Sequence, residues 1–401
     1  SGPAVKEVRY WAAEVTGGDG GLVHEVDEVA WLEADAARAT LTYPHDLAQL
    51  DAGTDPRPAL AELARYASAG ISTDHECFTA DEARDKLAVG MKILIREGSA
   101  ARNFDALIEL LPEHYEHLMF CSDDKHPDTL VLGHINQLVQ RAVARGCDIF
   151  SVLQVACVNP VQHYRLPVGL LQAGDAADFI VVKDLQNFDV LQTYLNGELV
   201  AENGQSRLPA TPIAVANNFH ATPFTAADFA LQQPATSNQK PETPVIECFD
   251  GQLITARLNL PVPAENGLLI PDVAQDVLKL TVVNRYQPGV PPAVAFIRGF
   301  GLKHGALASS VGHDSHNITA VGCDDESLAR AVNLVIEAKG GLAAVGADGT
   351  ELLLPLPVAG LMSDQEGPQV AAAYTAVDAL AKQLGSPLEA PFMTLSFMAL
   401  L

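Results

Sequence analysis

Basic residues are scarce in this chain. Twenty-five Lys and Arg stand against 50 Asp and Glu, a formal charge of −25 over 401 residues. A surface that acidic repels phosphate backbones, which argues against nucleic-acid partners and anionic membranes. A free nucleobase stays open, because it is neutral, and the same charge suits a soluble protein in a salty cytosol. Long apolar runs are missing too. No window approaches about 18 consecutive apolar residues, and the opening SGPAVKEVRYW has no signal-peptide core, so a cytoplasmic protein is expected. Cysteine is sparse and scattered: Cys77, Cys121, Cys147, Cys157, Cys248 and Cys323 form no CxxC pair, which favours buried thiols over disulfides. Several catalytic signatures are also absent. GFGLKHGALASS lacks the GK[ST] ending of a phosphate-binding loop, no GxSxG elbow occurs, and the HxE…PCxxC zinc pattern is missing.

What remains is a chain rich enough in apolar residues, at 48%, to build a substantial core, and long enough for two or three domains. Residues 1–68 lean helical and acidic, with breaks at GGDGG and LTYPHDL, and carry no functional motif. A helix is expected from near Pro58 to Gly70. Then a rhythm sets in. GISTDHE leads into TADEARDKLAVG, MKILIREGS into AARNFDALIELL, and LMFCSDD into GHINQLVQRAVARG. Each unit is a short apolar run, a polar cluster and an amphipathic helix, which indicates parallel α/β organisation over 69–165. In a (β/α) barrel such clusters sit at the mouth where chemistry occurs. After a helix around DIFSVLQVACVNPVQHY the pattern turns to β over 166–205, with turns at AGDA and LNGE. Residues 206–245, rich in Pro, Thr, Asn and Gln, read as a linker, and 246–401 as a separate α/β domain.

Three clusters carry chemistry. His75 stands between Asp74 and Glu76 just after an apolar strand. Imidazole is a common ligand for divalent metals, and a neighbouring carboxylate fixes its tautomer. A structural histidine at a strand end is the competing explanation. Asp123 and Asp124 fall at the equivalent point two units later, where a carboxylate can bind a metal and accept a proton from water. An acidic helix cap is the alternative there. Lys125 and His126 follow as substrate contacts or solvated loop residues. In SSVGHDSHN, His313 and His316 would share one face of a helix, or join a polar network in a loop.

Read together, GISTDHECFTADEA, MKILIREGSAARNF, LMFCSDDKHPDTL, ACVNPVQHYRLPVGLLQAGDAADFIVV, VVNRYQPG, FGLKHGALASSVGHDSHNITAVG and APFMTLSFMAL closely resemble the bacterial adenine deaminases of the amidohydrolase superfamily, from about residue 69 onward. The resemblance implies a metal-dependent (β/α) barrel, here partial, with a small β-domain and a C-terminal α/β domain. It implies hydrolysis of adenine to hypoxanthine and ammonia in adenine catabolism and purine salvage, with manganese, iron or zinc activating the water. On that likeness His75 and Asp123 are metal ligands. Asp123 also carries the proton, with Glu76 and Asp124 beside it as catalytic candidates. His313, His316 and Lys125 are substrate-side candidates. A homo-oligomer is expected.

The same likeness exposes departures. The family's HxH pair is absent, and Thr54 in GTDPRP occupies the place of a further histidine. The acids of HEVDEVAWLEAD match no bridging carboxylate. A closed barrel takes about 250 residues, whereas only about 160 precede the β-domain here. Two ligands hold a catalytic metal weakly, so low occupancy and poor activity are expected unless residues 1–68 or a second subunit complete the site. The rival reading is a non-catalytic relic that binds a nucleobase or serves in assembly.

Overall fold

The computed structural model describes residues 60–209, 213–233, 242–313 and 315–400, together with the backbone of an antiparallel pair, Val5–Val8 and Val29–Leu32. GGDGG, LTYPHDL, Thr54, the acids of HEVDEVAWLEAD, the start expected at Pro58 and most of QQPATSNQKPETP lie outside the described residues.

The βα rhythm becomes a parallel sheet. Thr73–Asp74 pairs with Lys92–Arg96, which pairs with Leu118–Cys121, each in the same direction. Ile93 and Ile95 are fully buried and join Phe104, Phe120, Leu138 and Val139 in one core. Between these strands the chain must turn back through helices, and the sequence marks their ends. Helix Leu60–Ser68 is followed by Gly70 at φ +95°, a conformation that costs glycine little. Helix Ala80–Ala88 opens on Thr79, whose hydroxyl accepts the Glu82 N–H at 3.2 Å, and Asp81 and Glu82 face its positive end. Among the described residues the parallel sheet has three strands and does not close.

The β-rich stretch forms a four-stranded antiparallel sheet, Phe179–Val182, Val190–Leu195, Glu198–Glu202 and Gln205–Ser206. Its central hairpin turns at Asn196 and Gly197, both with positive φ, as a two-residue turn of this hand requires.

The C-terminal part is built on an eight-stranded sheet. Ala306–Ser309, Ile318–Gly322 and Gly341–Val345 are buried along their whole length, because helices cover both faces. Ala306, Ala308, Ala320 and Val345 meet helix Asp325–Glu337, while Leu307, Val321 and Ala344 meet helices Gly367–Gln383 and Pro391–Phe397. This alternation is the period-two pattern of a strand with two apolar faces. The domain starts earlier than residue 246. Glu242–Cys248 pairs along its length with Thr255–Pro261, and Pro244 is tolerated because the strand on its other side pairs only with Val245–Glu247. Residues 213–233 pack on this domain rather than hang as a linker. Phe229 is fully buried, Asn217 donates to the carbonyls of Lys339 and Pro357, and Phe224 exchanges hydrogen bonds with Asn333. A composition of Pro, Thr and Asn signals irregular backbone but not a lack of tertiary partners.

The parallel sheet and the C-terminal domain meet at the strand ends. The Ala101 N–H donates to Gly251 O at 2.9 Å, Arg102 pairs with Glu389 at 2.8 Å, and the His126 ring bonds the Tyr374 hydroxyl. Gly98 lets two loops touch, since a Cβ there would lie 2.7 Å from Asp124 O. That close approach carries the bond from the Ser99 N–H to Asp124 O, 2.8 Å, which fixes the loop bearing both aspartates.

Candidate metal centre at the strand ends

His75 and Glu76 leave the first parallel strand in a tight loop that Asp74 builds. Its carboxylate accepts the N–H groups of Glu76 and Cys77 and pairs with the nearly buried Lys86 at 2.9 Å. Burial alone would raise the Asp74 carboxyl, yet Lys86 and these bonds hold it below its ordinary value. Asp74 is therefore committed to the loop, and the acid that orients His75 is the other neighbour. Glu76 Oε1 lies 3.1 Å from His75 Nε2. Asn103 braces the same loop, donating to the carbonyls of His75 and Cys77 while accepting the Arg96 N–H.

Asp123 adopts φ +53°, an uncommon left-handed conformation that aims its carboxylate back over the sheet. Its Oδ2 is 3.9 Å from His75 Nε2. Donor atoms of His75, Glu76 and Asp123 all lie within 4.8 Å of one another. The two adjacent acids are thus divided. Asp123 joins this cluster, and Asp124 turns away to His313 Nε2, 3.1 Å off, on the C-terminal domain. The hydrogen bond from His313 holds the Asp124 carboxyl below its usual value against the cost of burial. Asp124 is no helix cap: the short helix Pro127–Leu130 has His126 in the capping position.

Beneath the cluster lies Arg96, 1% exposed, at the end of the second parallel strand. Its Nη1 donates to Glu76 Oε1 and Asp123 Oδ2, both at 2.8 Å, and its Nε to Ala101 O. Although burial opposes it, the bonds from His75 and Arg96 hold Glu76 down at about 2, and the same Glu76 contact raises His75. One imidazole and two carboxylates are a donor set that suits a divalent cation, and neighbouring donors about 3–4 Å apart are what ligands on one small ion give. Arg96 does not exclude such an ion: Asp123 Oδ2 keeps a second lone pair, and on Glu76 Oε1 the ion would take the place of the His75 proton. Sequence reasoning missed Arg96 and Asn103. The signal for Arg96 was present: a charged residue closing the apolar run KILI must be paired if it is buried.

These groups line a cavity of about 310 Å³, closed on the far side by Leu253, His313, Phe397 and Leu400. A larger cavity of about 510 Å³ adjoins it across Asp124 and His313, and Lys125, His126 and His316 lie there, outside the cluster. Burial lowers Lys125 and depresses His126 to about 4, so His126 is a neutral, part-buried partner of Tyr374 rather than a solvated loop residue. The described residues of SSVGHDSHN are a strand end and loop, not a helix. His316 sits at φ +50° with its ring 6.4 Å from that of His313, and neither joins the metal-type group.

Comparison with known proteins gives this arrangement its relatives. Residues 8–200 match the amidohydrolase family, and residues 252–401 match the adenine deaminase C-terminal domain. The first match begins well before residue 69, where the likeness was legible by eye. The match supports an amidohydrolase-type, barrel-like fold for this part of the chain. Curated relatives narrow it. An adenine deaminase from Salinibacter ruber is 54% identical over 341 residues, covering 85% of this chain and 61% of that protein. Adenine deaminases from Sulfurovum sp. and Methanosarcina mazei are 51% and 47% identical over 85% of the chain and 61% and 62% of their own lengths. Over most of its length the chain is thus similar to adenine deaminases of the amidohydrolase family. It spans about three fifths of the length of these relatives. A solved β-aspartyl dipeptidase from Fervidobacterium islandicum aligns with 34% of the chain and 40% of its own at 20% identity and a TM-score of 0.28, which bears no weight.

Proposed function

We propose that this chain hydrolyses adenine to hypoxanthine and ammonia, with manganese, iron or zinc held by His75, Glu76 and Asp123. The observation that carries the proposal is the convergence of those three donors within 4.8 Å at the ends of parallel strands. Sequence reasoning counted two ligands and expected weak occupancy. Glu76 supplies a third, the usual minimum for a catalytic site, which supports ordinary binding. A cation bound there makes a nearby water more acidic and draws electron density from the substrate ring.

The protein groups then have separate tasks. Arg96 holds Glu76 ionised and aligns both carboxylates through its two 2.8 Å bonds. The Asp123 carboxylate takes a proton from water as the oxygen bonds to the amino-bearing ring carbon. It returns that proton to the amino nitrogen, the carbon–nitrogen bond breaks, and ammonia leaves. Adenine and water are consumed, hypoxanthine and ammonia are formed, and Asp123 ends as it began. Asp124 and His313 close the cavity, and Lys125 and His316 belong to its substrate side through the adjoining space. We extend the proposal to a division of the chain into 69–165, 166–205 and a C-terminal domain, and to a cytoplasmic homo-oligomer in purine salvage.

Ammonia release from adenine, measured beside metal content, tests this. Near-stoichiometric metal and turnover that disappears in Asp123→Ala are expected. Equal turnover in both proteins sinks the mechanism, and metal-free protein without turnover would favour the non-catalytic relic.

A further inference from the structure

The smaller cavity is divided in character. His75, Glu76, Arg96, Asp123 and Asp124 give its lining charge, and Leu253, Phe397 and Leu400 give it apolar and aromatic surface. Phe397 ends helix Pro391–Phe397 and is 7% exposed. Its ring stacks on His313, with centroids 5.1 Å apart and planes at 21°. His313 is held at three points: its backbone N–H donates to Ser396 O at 3.0 Å, its ring lies on Phe397, and its Nε2 meets Asp124. The pair is therefore a fixed aromatic element in the lining of the cavity of about 310 Å³, with His313, 25% exposed, as its more open ring and the nearly buried Phe397 backing it. An anionic ligand would meet three acids there, and an alkyl chain would make no use of the flat rings. A neutral heteroaromatic base uses both kinds of lining, with its ring against the aromatic pair and its amino end at the acids.

We propose that His313, backed by the Phe397 ring stacked on it, is the base-reading wall of the site and favours two-ring bases over single-ring ones. The proposal rests on the deaminase reading for its substrate class, but its contacts come from the C-terminal domain rather than from the metal cluster. A fused base offers more ring area to stack, and stacking on one aromatic side chain changes affinity by about 5- to 100-fold.

The test is Phe397→Leu in the full chain, which keeps apolar bulk and removes the ring that backs His313. Adenine binding by equilibrium dialysis is expected to weaken about tenfold, cytosine binding less, and KM for adenine to rise while kcat and metal content hold. His313→Gln, a change on a partly exposed loop, should move the same quantities in the same direction. It decides the matter if circular dichroism shows Phe397→Leu misfolded. Adenine affinity within twofold of the parent in a folded variant, or an equal loss for both bases, overturns the wall. A parent that binds adenine through His313 and Phe397 yet releases no ammonia overturns the deaminase reading and leaves the wall standing. A parent that deaminates adenine with a KM indifferent to His313 and Phe397 does the reverse.

Discussion

Replacing Arg96 with methionine isolates what holds the site together. The substitution keeps the length of the buried stem and removes the guanidinium that donates to Glu76 Oε1, Asp123 Oδ2 and Ala101 O. Breaking a fully buried ion pair by deleting one partner costs about 3–5 kcal/mol. Arg96 is 1% exposed, but the side chains of Glu76 and Asp123 are 43% and 28% exposed, so water recovers part of the loss. The expected fall in unfolding free energy is about 2 kcal/mol, read from urea titrations followed by far-ultraviolet circular dichroism. The reasoning also fixes a second quantity. If the loss comes from two stranded carboxylates, Arg96→Met in a Glu76→Gln, Asp123→Asn background should cost less than half as much, a non-additivity expected of groups in direct contact. Manganese should restore more stability to the single variant than to the parent, because a cation can take over the neutralising role. An unchanged urea midpoint, or equal losses in both backgrounds, would refute the clamp.

Other consequences follow from the same geometry. Asp123→Ala should lower ammonia release from adenine by roughly 100- to 10,000-fold, as removal of a general base does, and a smaller drop in metal-loaded protein would remove it from the proton path. His75→Ala should weaken manganese binding at least about tenfold in a titration followed by electron paramagnetic resonance, with unchanged affinity excluding it as a ligand. Desolvation pushes the part-buried imidazole of His126 down to about 4 from its ordinary 6.5. The unfolded chain therefore binds the extra proton between those values, so this contribution is complete above pH 6.5 and disappears as pH falls toward 4. Its size is on the order of 2–3 kcal/mol, and His126→Gln should flatten the dependence of the urea midpoint on pH in that window. The same slope in the variant would assign it to other groups.

How far the sequence could be read differs between the scaffold and the site, for one physical reason. Strands and helices announce themselves locally. KILIR, LMFC and the Thr79 cap need only their neighbours, so the parallel rhythm was legible and formed as expected. The site depends on which of several equivalent polar groups a loop turns inward, and that choice is made by partners far along the chain. Asp74 and Glu76 flank His75 alike in sequence, but an Asp two residues before a free backbone N–H is short enough to close a local turn, which leaves the longer Glu76 to reach the imidazole. Asp123 and Asp124 are adjacent and chemically alike, yet Arg96 claims one and His313, from the other end of the chain, claims the other. Locally Arg96 is marked only as a charge closing an apolar run; what it pairs with is not, because its carboxylate partners lie 20 and 27 residues away. Phe397 reads as one more apolar residue in a terminal helix until His313 is seen to lie on it. The candidate ligands were therefore legible as residue types, and their roles became legible only through the long-range contacts that separate a donor in the cluster from a brace beside it.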